Sequence, residues 1–238
     1  MKILISSCTQ YDEDGFKDTK LYKSVLKTLC AEHINNNIIS YIADDLKAIV
    51  RLNNKENIGI HYNRTLALAK EEDFDCIIFI HDDVSLEDSH LSDKLTQAFI
   101  DYDIVGLAGA RDIKLKKPAL WHLMCSDQNR TGIVAHADGK YTSSTYFGPV
   151  PQRCILLDGL FLAVKLKNPR LTDNVLFDEN IPAIAHHYDL DFCLTANKNK
   201  LKLTTWPIWV VHDSPGLEKP DENFYNSENY FLDKWLIN

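Results

Sequence analysis

The feature that most constrains the fold of this chain is the run Asp75-Cys76-Ile77-Ile78-Phe79-Ile80, which stops abruptly at His81-Asp82-Asp83. A continuous apolar run bounded by polar residues is the pattern of a strand buried on both faces, and such a strand needs a sheet covered by helices. The segments around it alternate in the same sense. Residues 2–7 form an apolar strand leading into Ser6-Ser7-Cys8-Thr9, and residues 37–43 a second strand ending at Asp44-Asp45. Helical spacing places Leu21, Val25, Leu26 and Leu29 on one stripe of residues 19–32, and Ile58, Tyr62 and Leu66 on one stripe of residues 57–70. Residues 91–102 predict a further helix, capped by Ser89 or Ser92, and residues 104–108 a further strand. The expected class is α/β, with a mixed, mostly parallel sheet and helices on both faces. Ligands of such sheets bind beyond the carboxyl ends of the strands, and three predicted strands end in polar clusters: Ser6/Ser7/Thr9, Asp44/Asp45 and His81/Asp82/Asp83.

The second half is less regular. Residues 116–146 read as loops and short hairpins, and residues 154–157 and 161–165 as strands interrupted by Asp158-Gly159. Residues 185–197 and 227–236 predict helices, the latter carrying Tyr230, Phe231 and Trp235, and residues 201–205 and 208–211 predict strands. With no Pro/Gly/Ser-rich linker, residues 1–238 are expected to form a single domain, with a nucleotide-binding half at 1–110 and an acceptor-side half at 111–238. A net charge of −8 disfavours a non-specific nucleic-acid binder, although a local basic groove stays compatible with it. The six cysteines show no CxxC spacing, which argues against a zinc knuckle. Cys76 and Cys193, set among apolar residues, are expected as buried thiols in a reducing compartment. The apolar run at the N-terminus is too short for a signal peptide, and no stretch approaches the ~20 apolar residues of a membrane span. These points predict a cytoplasmic location.

Four constellations carry chemistry. Asp82 and Asp83, adjacent at the end of a buried strand, repel one another, and a hard cation such as Mn²⁺ or Mg²⁺ relieves that cost and bridges diphosphate oxygens. The competing reading is a polar loop with capping aspartates. His212 ends the apolar strand Trp209-Val210-Val211 and is suited either to a mixed N/O metal site or to a turn. In His186-His187-Tyr188-Asp189-Leu190-Asp191, Asp189 and Asp191 are two apart on a helix and do not share a face. One of them can serve as a general base while the other faces solvent or a cap, or both can simply favour a helix start. Gly159 after Asp158, inside an apolar segment, fits a close approach of backbone to ligand or an ordinary turn.

In order along the chain, Asn57-Ile58-Gly59-Ile60-His61-Tyr62-Asn63-Arg64, His81-Asp82-Asp83-Val84, Leu157-Asp158-Gly159-Leu160-Phe161-Leu162, Phe177-Asp178-Glu179, Tyr188-Asp189-Leu190-Asp191-Phe192-Cys193-Leu194, His212-Asp213-Ser214 and Phe231-Leu232-Asp233-Lys234-Trp235 resemble the inverting family-2-type GT-A glycosyltransferases, with greatest likeness to the StrF-like branch. The resemblance implies a metal-dependent transfer of sugar from a nucleotide-sugar, a UDP-sugar by default, to a hydroxyl. It implies Asp83 as the metal-binding last carboxylate of a DXD motif with Asp82 beside it, and His212 as the second metal ligand. Thr9, Asp45, Asn63 and Arg64 fall where the family holds the nucleotide. Asp158 and Gly159 fall near donor sugar and acceptor, and Asp189, with Asp191 as the alternative, falls at the catalytic base. The first DXD position is His81 rather than Asp, which leaves its contact to ribose or metal-bound water open. A sugar nucleotidyltransferase would carry a Gly-rich loop where this chain has Ser6-Ser7-Cys8-Thr9-Gln10. A non-catalytic nucleotide-sugar-binding protein is the other alternative. The acceptor is open among a glycan, a metabolite, a protein and a hydroxymethylated base of phage DNA. For DNA, Lys114, Lys116, Lys117, Arg130 and Lys140 would be the phosphate contacts, against a plain solvated loop.

Overall fold

The computed structural model describes residues 1–137, 142–214 and 220–236. Its first half builds β1 (Ile3–Cys8), β2 (Cys30–Asn35), β3 (Ile38–Ala43), β4 (Leu46–Arg51) and β5 (Cys76–Ile80). β1 lies between β4 and β5 and runs parallel to both, with Ile3 opposite Leu46 and Cys76. All five residues of β5 are buried, as the unbroken apolar run requires. The remaining strands are β6 (Val84–Leu86), β7 (Ile104–Gly106), β8 (Ala108–Ala110), β9 (Arg130–Ala137), β10 (Thr142–Gly148), β11 (Gln152–Cys154), β12 (Leu156–Leu157), β13 (Phe161–Lys165), β14 (Leu203–Thr205) and β15 (Val210–His212).

They form two sheets. The larger has nine strands in the order β11-β14-β7-β13-β5-β1-β4-β3-β2, and the smaller runs β12-β8-β9-β15-β6, with β10 paired to β9. The large sheet is mixed. Its parallel pairs are β1–β4, β1–β5 and β7–β14, and antiparallel strands complete both flanks. The strand expected over 104–108 is divided at Leu107, where the chain passes from the large sheet to the small one as β7 gives way to β8.

The helices are α1 (Glu13–Phe16), α2 (Lys20–Ser24), α3 (Ile58–Glu71), α4 (Leu91–Ala98), α5 (Tyr188–Lys198) and α6 (Glu222–Leu236). Asn57 caps α3 by accepting from the Gly59 amide at 2.8 Å, and the expected stripe of Ile58, Tyr62 and Leu66 is buried against β1 and β5. Residues of both halves join one hydrophobic cluster reaching from Ile3 to Leu232. Cys76, Cys154 and Cys193 are buried free thiols. No helix among the described residues is long and apolar enough to cross a membrane.

Two expected elements differ. The helix over 19–32 is cut to α2, capped by Thr19, because Val25 leaves helical geometry at φ −121° and the chain then turns into β2. Here the pairing of residues 30–35 with β3 ends a helical pattern whose stripe contains the β-branched Val25. Neither Ser89 nor Ser92 caps α4: its N-cap is His90, whose own amide bonds Asp88 Oδ1 at 3.0 Å.

Asp88 has a larger task. β6 pairs antiparallel with β15, placing Val84 opposite His212 and Leu86 opposite Val210. Asp88 Oδ2 accepts from the Trp209 amide at 2.8 Å and pairs with Lys94 Nζ at 2.6 Å, pinning the entry to β15. Burial alone would raise the Asp88 carboxyl, but Lys94 and the Trp209 and His90 amides more than offset it and hold the pKa below the ordinary value. A depressed carboxyl stabilises the fold above its unfolded pKa of ~3.9 and loses that contribution as pH falls through the folded value. Asp88→Ala is therefore expected to lower the unfolding free energy by about 1–3 kcal/mol at neutral pH. In urea titrations its deficit against the wild type should shrink below about pH 4.

Candidate active site

The carboxyl ends of β1, β4 and β5 share one edge because the three strands are parallel. There Thr9, Asn54, Asp82 and Asp83 line a cavity of about 680 Å³ together with Thr19, Lys20 and Asp213. Thr9 is buried, and its hydroxyl accepts from the Tyr11 amide at 3.2 Å. Burial raises the Asp82 pKa, Thr9 partly counters this, and the neighbouring Asp83 charge adds to the rise. A second cavity, of about 880 Å³, opens on the other side of Asp83 and is lined by His81, Trp121, Asp158, Asp189, His212 and Phe224 among others. Asp83 lines both cavities.

The β6–β15 pairing carries His212 to Asp83. Because His212 sits opposite Val84, its Nε2 comes 3.4 Å from Asp83 Oδ2, and the Asp213 amide bonds the Asp83 carbonyl at 2.9 Å. His81 Nδ1 lies 4.0 Å from the other carboxylate oxygen, Asp83 Oδ1. That oxygen is buried and has no hydrogen-bond partner. The ligand atoms of His81, Asp83 and His212 all lie within 4.8 Å of one another. A carboxylate with one imidazole near each oxygen, and one of those oxygens orphaned, fits a divalent cation, which would satisfy that oxygen and use nitrogen and oxygen donors together. Burial alone would lower the His212 pKa, but the Asp83 carboxylate outweighs it and raises the imidazole above its ordinary value.

β13 runs antiparallel to β5 with Phe161 opposite Ile80, so the residues preceding it meet the residues following β5. This places Asp158 and Gly159 beside His81. Asp158 accepts from Trp121 Nε1 at 2.7 Å and from the Leu160 amide at 3.0 Å. The Gly159 amide donates to Asp189 Oδ2 at 2.8 Å, and Tyr188 Oη donates to the Gly159 carbonyl at 3.0 Å. A Cβ at position 159 would stand 2.2 Å from Tyr188 Oη and 2.8 Å from Asp189 Cβ, so only glycine fits. Asp189 opens α5 and faces the second cavity. Burial and then the Asp158 charge push its carboxyl up to about 7, although the Leu190 and Gly159 amides favour the ionised form.

Several residues singled out in the sequence lie elsewhere. Asp45 is in the hairpin turn between the antiparallel β3 and β4, at the amino end of β1, where its carbonyl accepts from the Ile3 amide at 2.8 Å. It is on the wrong edge of the sheet to hold a nucleotide. The edge position belongs to the end of β4, and Asn54 reaches the cavity instead. The apolar run Ala48-Ile49-Val50 after an Asp-Asp turn was the signal for this missed strand. Asn63 is engaged with a loop: its amide donates to the Phe177 carbonyl and Glu179 Oε1, both at 2.9 Å, and its oxygen accepts from the Phe177 amide. Arg64 is exposed on α3 and lines neither cavity. Asp191 points away from Asp189, into α6, where it meets Trp235 Nε1 and Lys234 Nζ, each at 2.8 Å. Its role is to tie α5 to α6, which corrects its reading as an alternative base. Lys117 pairs with Asn229 and Glu228, and Arg130 with Asp127 and the His122 carbonyl, so both are engaged within the chain. Lys140 lies outside the described residues.

A family model described as "Glycosyltransferase like family" matches residues 17–235. The chain belongs to this glycosyltransferase-like family. Among solved structures, S. aureus TarS 1-349 in complex with UDP-GlcNAc aligns at 14% identity and TM-score 0.51, covering 94% of this chain and 61% of that one. The same TarS fragment in complex with UDP aligns at 14% identity and TM-score 0.51, covering 100% of this chain and 72% of that one. At that identity the likeness is one of fold, and the mixed α/β sheet is that of a GT-A-type transferase. A sequence search of curated proteins returned no match.

Gly159→Ala in the transferase should displace Tyr188 and Asp189 together and lower kcat by about 10²-fold, the scale of a misplacement of about 1 Å beside a site. Asp191→Ala should act on folding, costing about 1–3 kcal/mol in urea unfolding, because it leaves the Trp235 N–H without its acceptor.

Proposed function

We propose that this glycosyltransferase uses a nucleotide-sugar, a UDP-sugar by default, and moves the sugar to a hydroxyl acceptor by a single in-line displacement with inversion, in the manner of the StrF-like branch. The observation that carries this reading is that Asp83 stands between two cavities, one at the parallel-strand edge and one containing Asp189. The first suits the nucleotide, held by Thr9, Asn54 and Asp82. The second suits the acceptor, a glycan, a metabolite or a modified base of phage DNA. Asp83 and His212 would hold a divalent cation, Mn²⁺ or Mg²⁺, which supplies charge neutralisation for the departing diphosphate.

Within this arrangement Asp189 removes the proton of the attacking hydroxyl. The Gly159 amide keeps one of its oxygens fixed at 2.8 Å, and the burial and Asp158 charge that raise its pKa to about 7 make it a stronger base than an exposed aspartate. Trp121 holds the Asp158 carboxylate beside it. Both halves of the chain supply both cavities, which supports reading residues 1–238 as one catalytic unit.

The first test is a thermal-shift panel of nucleotide-sugars with and without Mn²⁺. Stabilisation that requires both components names the donor, and a panel with no response to any donor counts against the proposal. Asp189→Asn should abolish transfer and leave donor affinity within a few-fold of wild type; full turnover in this variant would remove Asp189 from the mechanism. Because Asp189 must be ionised to act, kcat/KM should rise with pH through about 7 and level off above it. The same raised pKa makes its contribution to folding stability decline as pH rises from ~4 to about 7, a slope that Asp189→Asn should erase.

A further inference from the structure

We infer that His81 is a third ligand of the cation site, bound through Nδ1 and locked in the required tautomer by Tyr188, so that the site selects an imidazole-binding transition ion over Mg²⁺. This rests on the cation reading above and adds the ligand, its positioning residue and the metal preference.

The argument begins with one proton. Tyr188 Oη lies 3.0 Å from the Gly159 carbonyl and 2.7 Å from His81 Nε2. A carbonyl can only accept, so the single phenolic proton goes to Gly159. Tyr188 Oη must then accept from His81 Nε2, which therefore carries the imidazole proton. This arrangement satisfies all three groups in one chain, His81 Nε2–H to Tyr188 Oη–H to Gly159 O. The remaining ring nitrogen, Nδ1, is left with a bare lone pair. It is the nitrogen that faces the partnerless Asp83 Oδ1 at 4.0 Å, a separation too long for a hydrogen bond and suited to two ligands of one ion. His212 Nε2 approaches the same carboxylate from the other side at 3.4 Å.

Metal-bound histidines characteristically donate their second N–H to an oxygen that fixes ring and tautomer, and Tyr188 provides that oxygen. Two imidazoles and one carboxylate form a nitrogen-rich set. Mg²⁺ prefers oxygen ligands and water, whereas imidazole favours first-row transition ions.

The experiment uses the full chain and Mn²⁺ itself, with free ion measured by EPR. Pulsed EPR of the Mn²⁺-loaded wild type should show two directly bound imidazole nitrogens, and Mg²⁺ should compete poorly for the site. His81→Ala should weaken Mn²⁺ binding by about 10²-fold, and Tyr188→Phe by about 10-fold, the usual scale for losing an outer-shell partner. His81→Asp should bring Mg²⁺ competition back. A single bound nitrogen in the wild-type spectrum would overturn the inference, and that measurement needs no variant to fold. Wild-type affinity in His81→Ala beside lost affinity in Asp83→Ala would also overturn it, leaving the two-ligand site standing. Wild-type affinity in both variants would instead end the cation reading of the proposed function.

Discussion

The pairing of β6 with β15 is the constraint on which the site depends. β6 follows directly from the end of β5, and β15 arrives from near the end of the chain. Their three-residue ladder sets His212 opposite Val84 and so beside Asp83. One residue of slip would turn His212 to the other face of its strand, because side chains alternate with a period of two. A ladder this short cannot hold its register alone. Asp88, gripping both the Trp209 amide and Lys94, supplies the missing constraint at its entry, and the pairing of β15 with β9 supports it laterally.

The second dependency is electrostatic. Two aspartates of α5, two positions apart, face opposite environments. Asp191 is compensated by Lys234 and Trp235, so its buried charge ties helices together. Asp189 receives only backbone amides, and the Asp158 charge adds to the rise that burial causes, whereas at Asp191 Lys234 and Trp235 oppose that rise. The same residue type at the same helix end thus becomes a tether in one case and, in the proposed mechanism, the base in the other. Gly159 makes the second outcome possible, since its missing side chain lets Tyr188 and Asp189 close on the backbone.

Much of this was legible in the sequence. The buried run of β5 announced a covered sheet, and the polar residues at its end marked the edge where the two cavities open. The ordered motifs pointed to the glycosyltransferase-like family that the match over residues 17–235 shows. The stripe of α3 was plain because its period runs from Ile58 through Tyr62 and Leu66 to Ala69 behind an Asn57 cap. The same period misled over 19–32, where the chain leaves helical geometry at Val25 and residues 30–35 pair with β3 instead. Asp45 misled for a topological reason. A polar pair after a strand marks the ligand edge only if that strand runs parallel to the sheet's centre, and β3 runs against it.

What the sequence determined by itself was local: which runs are buried, where strands end in charge, and which residue types could bind a cation or take a proton. These follow from hydrophobicity and spacing, which are properties of neighbours along the chain. The tertiary structure decided which of those residues meet. It brought His212 to Asp83, turned Asp189 toward the cavity and Asp191 toward α6, and gave Asn63 to the Phe177 loop rather than to a ligand. Those outcomes depend on strand direction and register between segments far apart in sequence, and no local pattern encodes them.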